Sequence, residues 1–343
     1  MTKKIDQLTF TRFISALMIL LVHFSGGTVF EFPEVKKFLL PFFGVSYFFI
    51  LSGFVLGVSY YDKMGEELRK FDFKRYTILR LARIYPVYFL AFLLEVFFLV
   101  RFGGDTPTFK EIIYSIFLIQ SWFSDDFINF PSWSLSCEMF FYASLPWFLF
   151  KLKRLKIKGL LVVLVLIWGV QQTSFYYLFV LNNSPFHVLF NPLLHLPTFV
   201  AGIIIAIFYR KSKNELIQYI PSVNNWLIAF ILIIIIYNKS TFGYETTQTP
   251  FYLAFILLVS LPNNFFIKYL SSNFFIYLGY ISYSIYILQV PIYQYFDRIY
   301  TRLSFTDPNL KYVIFIPLTI LVSAGVYFFY EKPVYKFLTK KIR

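Results

Sequence analysis

His23 and Arg12 stand eleven residues apart in TRFISALMILLVHF, a stretch that is otherwise almost wholly apolar. Eleven residues make close to three helical turns, so both side chains would share one face, about 16 Å apart along the axis. Ionisable groups in such surroundings are expensive and mark functional sites by default. An imidazole there is suited to act as a general base near neutral pH. The alternatives are a packing role for His23 and a snorkelling anchor for Arg12. In SWSLSCEMFFY, Glu138 lies with Ser134 and Tyr142 at i, i+4 and i+8, on one helix face and just inside the helix's outer end. Its depth matches that of His23. A carboxylate at that depth can fix the histidine tautomer and stabilise the imidazolium. Glu95 competes for this role, since helix rise places it about 18 Å beyond Arg83.

At the opposite end, LRLARIYP projects Arg80 and Arg83 together at i, i+3, with Lys74 and Arg75 just before them. Two guanidinium forks suit phosphate, while orientation by positive charge is the competing explanation. GVSYFFILSGFVLG supplies Gly44, Ser52, Gly53 and Gly57. Small residues of this kind favour close helix packing, or else a groove for an extended ligand. Tyr and Ser in LGYISYSIYILQVPIY are placed to line a polar cavity. Glu331 is placed to close the last helix or to pair structurally. His187 and His195 read as hydrogen-bonded core residues. One cysteine, Cys137, and no Cys/His cluster give neither an intrachain disulfide nor an expected metal.

The elements that must hold these groups are membrane helices. Of 343 residues 58% are hydrophobic and 15% charged, against roughly 25% charged in ordinary soluble domains. Ten apolar stretches approach the length of about 20 residues that a span needs. They cover 8–26, 39–60, 83–101, 133–150, 159–178, 188–209, 224–238, 250–263, 275–296 and 311–330. Residues 112–122 are half a span and read as interfacial or re-entrant. With both termini cytoplasmic, 23 Lys and Arg fall inside and eight outside, and Arg12 completes the 32. That asymmetry fits the positive-inside rule and makes KLKRLKIK (151–158) an orientation anchor. The net charge of +14 sits in short clusters between apolar runs, which excludes a nucleic-acid surface. The N-terminal stretch reads as a retained helix, because it carries Arg and His and lacks a small-residue cleavage site. The expected architecture is an all-α integral membrane bundle, one domain over 1–343.

Taken in order, six motifs resemble the acyltransferase 3 family of multi-pass membrane proteins. They are Arg12 to His23; FFILSGF (Phe48–Phe54); Arg80 and Arg83 with RIYPVYF; SWSLSCEMFFY (Ser132–Tyr142); ISYSIYIL; and EKP. The resemblance implies transfer of an acyl group, usually acetyl from acetyl-CoA, to the hydroxyl of a glycan or lipid-linked sugar, at the plasma (inner) membrane. It implies His23 as the base and Glu138 as its acid. It implies Arg12, Arg80 and Arg83 on the donor, with the pantetheine arm running past Ser52 and Gly53. Gln289 departs from relatives that often carry a histidine there. A proton-coupled transporter or flippase is the rival reading; it predicts internal repeat symmetry, which the sequence lacks.

Overall fold

The structure, a computed structural model, describes residues 5–26, 28, 44–103, 106–124, 126–219, 224–237, 245–262, 269–340 and 342. Those residues form helices and turns and no strand. The elements are α1 (Gln7–His23), α2 (Val45–Tyr60), α3 (Phe73–Phe102), α4 (Phe109–Ile116), α5 (Trp133–Lys153) and α6 (Ile157–Phe175). They continue with α7 (Pro192–Tyr219), α8 (Asn224–Tyr237), α9 (Thr249–Ser260), α10 (Asn273–Arg302), α11 (Pro308–Val326) and α12 (Lys332–Thr339). A helix occupies each of the ten predicted stretches. Five helical runs are long and apolar enough to cross a bilayer: 73–102, 157–181, 188–218, 273–302 and 308–339. Several helices extend past the predicted ends, because hydropathy marks only the apolar part of a helix. In α3 the helix begins ten residues early, where the Asp72 side chain accepts the Arg75 amide (2.9 Å) and caps it.

Exposed faces are apolar. On α6, Leu161, Val162, Val165, Leu166 and Val170 all point outward, Val165 being 64% exposed. Their spacing is one helical stripe, and a stripe of this kind is stable only against lipid or protein.

Contacts group the chain into two compact units, each assembled from separated stretches: 1–15, 40–71 and 140–279 form one, and 16–39, 72–139 and 280–343 the other. In the first unit the core joins Tyr47, Ile50 and Phe54 of α2 to Ala201 and Ala206 of α7 and to Tyr252, Phe255 and Ile256 of α9. The backbones of α2 and α7 come unusually close. A Cβ on Gly53 would lie 2.1 Å from the Phe199 carbonyl oxygen, and one on Gly202 would lie 2.1 Å from that of Ile50. One on Gly57 would lie 2.6 Å from the Ala206 Cβ. Both helices thus carry a small-xxx-small pair, Gly53 with Gly57 and Gly202 with Ala206. At Gly53 the close-packing alternative describes the contact, since α7 fills the face that a Cβ would occupy. Gly53→Val should lower the thermal stability of the solubilised protein by about 3 kcal/mol, the upper end of overpacking costs, because the obstacle is backbone. Gly169→Ala, whose Cβ meets nothing within 4 Å, is the control and should leave stability unchanged or raised.

In the second unit, residues 112–122 form no span. The short α4 opens with a capping box, Thr108 with Glu111, and ends at Leu118 in the left-handed region (φ 55°). The Ile119 amide donates to Tyr114 O (2.9 Å) and the Leu118 amide to Ser115 O (3.0 Å), the two bonds of a Schellman ending. Tyr88 of α3 also donates to Ser115 O (2.6 Å), and Tyr85 caps one more carbonyl of this end, Ile116 O (3.0 Å). Leucine replaces the usual glycine here and is almost wholly buried, so its packing offsets the backbone strain. A single turn at Gln120–Phe123 then leads toward α5.

Candidate active site

His23 ends α1 in the second unit. Its side chain is accessible to water. It packs edge-on against Phe24 and Phe130, with ring centroids 6.3 and 6.0 Å away. Its polar neighbour is Gln289 of α10. Glu138 is half-buried on α5.

The wall beneath His23 is a hydrogen-bond lattice at the start of α5. Pro291 lies within α10 and cannot donate to Ile287 O; Asn129 Nδ2 donates to that carbonyl instead (2.9 Å). Tyr286 Oη donates within reach of Pro131 O (3.1 Å) and Ser134 Oγ (3.0 Å). Gln120 Nε2 donates to Ser132 O (3.0 Å), and Ser121 Oγ to Trp133 O (2.9 Å). The alternating serines of SWSLSCE are thereby explained: each is buried and serves the lattice. Residues 129–131 are fastened to α10 on either side of Phe130, and Phe130 carries His23.

The arginine pair divides. Arg83 Nη1 donates to Glu331 Oε1, and Ser284 Oγ donates to Glu331 Oε2 (2.7 Å). Glu331 is 1% exposed and Arg83 32%. The glutamate closes a π-helical turn, Tyr327–Glu331, in which the Lys332 amide reaches back five residues to Tyr327 O. Pro333 of the EKP motif follows, where a missing N–H is tolerated. Structural pairing is therefore the role of Glu331, and Arg83 is engaged by it. Arg80, one turn earlier, keeps a buried Nε–H with no protein acceptor. Among the described residues Arg298 also has a buried Nε without an acceptor, but Arg80 is the one beside Arg83 on α3.

Other predicted residues fall elsewhere. Glu95 is fully buried on α3, its two oxygens without hydrogen-bond partners and Gln294 of α10 beside it. In the first unit, Arg12 lies near Tyr47, whose Oη donates to Thr11 Oγ1 (2.7 Å), and Ser52 is buried. His195 bonds through Nε2 to Leu189 O (2.7 Å) between the rings of Phe49 and Phe175, a core residue as expected. The side chain of His187 lies outside the described residues. Sequence reasoning missed Gln289, Ser284 and Asn129 as partners; polar residues interrupting an apolar run were the only signal.

Apolar outer faces and, among the described residues, five helices of membrane-crossing length fit a membrane protein. Its family follows from comparison: the model described as "Acyltransferase domain" matches residues 5–328, and the chain belongs to that family. It is 26% identical over 322 residues to a putative O-acetyltransferase of Staphylococcus aureus strain COL, covering 85% of this chain and 52% of that protein. It is 24% identical over 320 residues to the O-acetyltransferase OatA of Staphylococcus aureus, covering 86% and 53%. The acyltransferase MdmB of Streptomyces mycarofaciens is 31% identical over 156 residues, 42% of this chain and 38% of that protein. The chain thus spans about half the length, or less, of these relatives. No solved structure matches it.

Proposed function

We propose that the chain is a membrane O-acyltransferase. It moves an acyl group, acetyl first among candidates, from cytoplasmic acyl-CoA to a hydroxyl of a cell-envelope or exported glycan. The observation that carries this is His23, an accessible imidazole packed on Phe130 and beside Gln289 in a chain belonging to an acyltransferase family. His23 takes the proton of the acceptor hydroxyl, and the oxygen attacks the thioester carbon. Arg80 supplies the free donor for a coenzyme A phosphate. Arg83, already paired, adds positive potential beside it. Glu138 is proposed as an acid near the acceptor end. Arg12 and Ser52 are carried as donor-side candidates of the first unit, each to be tested by its own substitution. Ten crossings, cytoplasmic termini and a plasma-membrane location complete the proposal, supported by the distribution of Lys and Arg.

The test is purified protein with labelled acetyl-CoA and a glycan acceptor pool. Label is expected on the glycan; its absence across acyl-CoA chain lengths and acceptors ends the reading. Arg80→Met should raise the KM for acyl-CoA by roughly 10-fold or more with kcat little changed, the loss of one charge-assisted hydrogen bond. An unchanged KM removes Arg80 from the donor site.

A further inference from the structure

We propose that Gln289 is the positioning residue of the transfer base: its side-chain oxygen accepts the N–H of His23 and presents the other ring nitrogen, unprotonated, to the acceptor hydroxyl. This rests on the acyltransferase reading of the same site and deepens it.

Three observations support it. Gln289 is fully buried, and its Nε2 donates to Tyr286 O (2.7 Å). That bond decides which way the amide faces, since the nitrogen end is taken by a carbonyl. The oxygen end is buried with no closed hydrogen bond, an acceptor held ready. The neighbour it acts on is His23. The placement has an independent geometric basis. His23 packs on Phe130, while Asn129 and Pro131, on either side of Phe130, are bonded to Ile287 and Tyr286 of α10, two and three residues before Gln289. Gln289 also lies two residues before Pro291, whose missing N–H leaves the Ile287 carbonyl to Asn129. The same irregularity in α10 therefore fixes both the amide and the shelf under the imidazole.

The chemistry balances. One ring nitrogen of His23 carries hydrogen and donates it to Gln289 Oε1. The other accepts the hydroxyl proton while the acceptor oxygen bonds to the thioester carbonyl carbon. The C–S bond then breaks, and the same nitrogen returns the proton to the sulfur, giving an ester and a free thiol. A neutral amide differs from a carboxylate in this role: it selects the tautomer and aims the ring without adding negative charge to the imidazolium. This accounts for an untitratable side chain at the site of the base.

The test measures kcat and KM for both substrates in purified, folded variants. Gln289→Leu removes the acceptor at similar bulk and should lower kcat about 10²-fold with both KM values unchanged. Gln289→Glu restores a side-chain oxygen at the same reach and should recover most of the rate. Gln289→Met, longer and more adaptable, gives the same answer if the leucine variant does not fold. Unchanged kcat in Gln289→Leu, a change confined to KM, or a Gln289→Glu variant as slow as Gln289→Leu each overturn the proposal. Failure of the parent reading looks different, because the wild-type protein itself then transfers no label.

Discussion

His23→Ala should lower acyl transfer about 10³-fold while leaving the affinity for acyl-CoA and the thermal stability nearly intact. The rate loss is that expected for removing a general base. The small stability cost follows from position. His23 ends α1, its ring is accessible, and its contacts are two ring edges and one amide, so truncation opens no core cavity. Donor affinity should persist because Arg80, with its unused Nε–H, lies on α3 and keeps its place. The measurement is label transfer from acetyl-CoA, paired with donor binding and thermal unfolding of the same preparation. Equal transfer by the two proteins would remove His23 from the mechanism. Collapse of stability in the variant would make it a packing residue.

The second large effect concerns Arg83 and Glu331, and it is asymmetric. Removing Arg83 leaves a carboxylate that is 1% exposed, with Ser284 as its remaining partner. Breaking a buried pair in that way costs about 3–5 kcal/mol. Removing Glu331 instead leaves a guanidinium that is 32% exposed and lies over the Tyr283 ring at 5.9 Å, so solvent and the ring screen it. We expect Arg83→Met to destabilise more than Glu331→Leu, whose cost should be about 2 kcal/mol. The double variant should recover most of the loss, because no uncompensated charge is left. Thermal unfolding of the four proteins measures this cycle. Additive losses would show that the two groups do not act as a pair.

The glycines illustrate what a sequence can specify unaided. Gly53 and Gly57 repeat at helical spacing in an apolar stretch, and so do Gly202 and Ala206; the two pairs meet, backbone to backbone, within one unit. Helix positions were equally legible, since an apolar run of sufficient length in lipid has few alternatives to a helix. His23 announced itself because an imidazole in such a run is costly.

Partnership was another matter. Glu138 matches His23 in predicted depth, but depth is a coordinate along a helix axis and does not by itself pair two side chains. A polar neighbour of His23 is Gln289, two residues before Pro291, which leaves the Ile287 carbonyl to Asn129. Arg83 looked equivalent to Arg80 in LRLARIYP, yet a glutamate 248 residues away engages one and not the other. By itself the sequence determined where helices form, which of them are greasy enough for lipid, and which residue types are too expensive to be idle. Only tertiary structure decided who faces whom. Periodicity fixes a side chain's height and face on its own helix, while the rotation of one helix against another is set by packing and by the hydrogen bonds that prolines and caps leave to be filled.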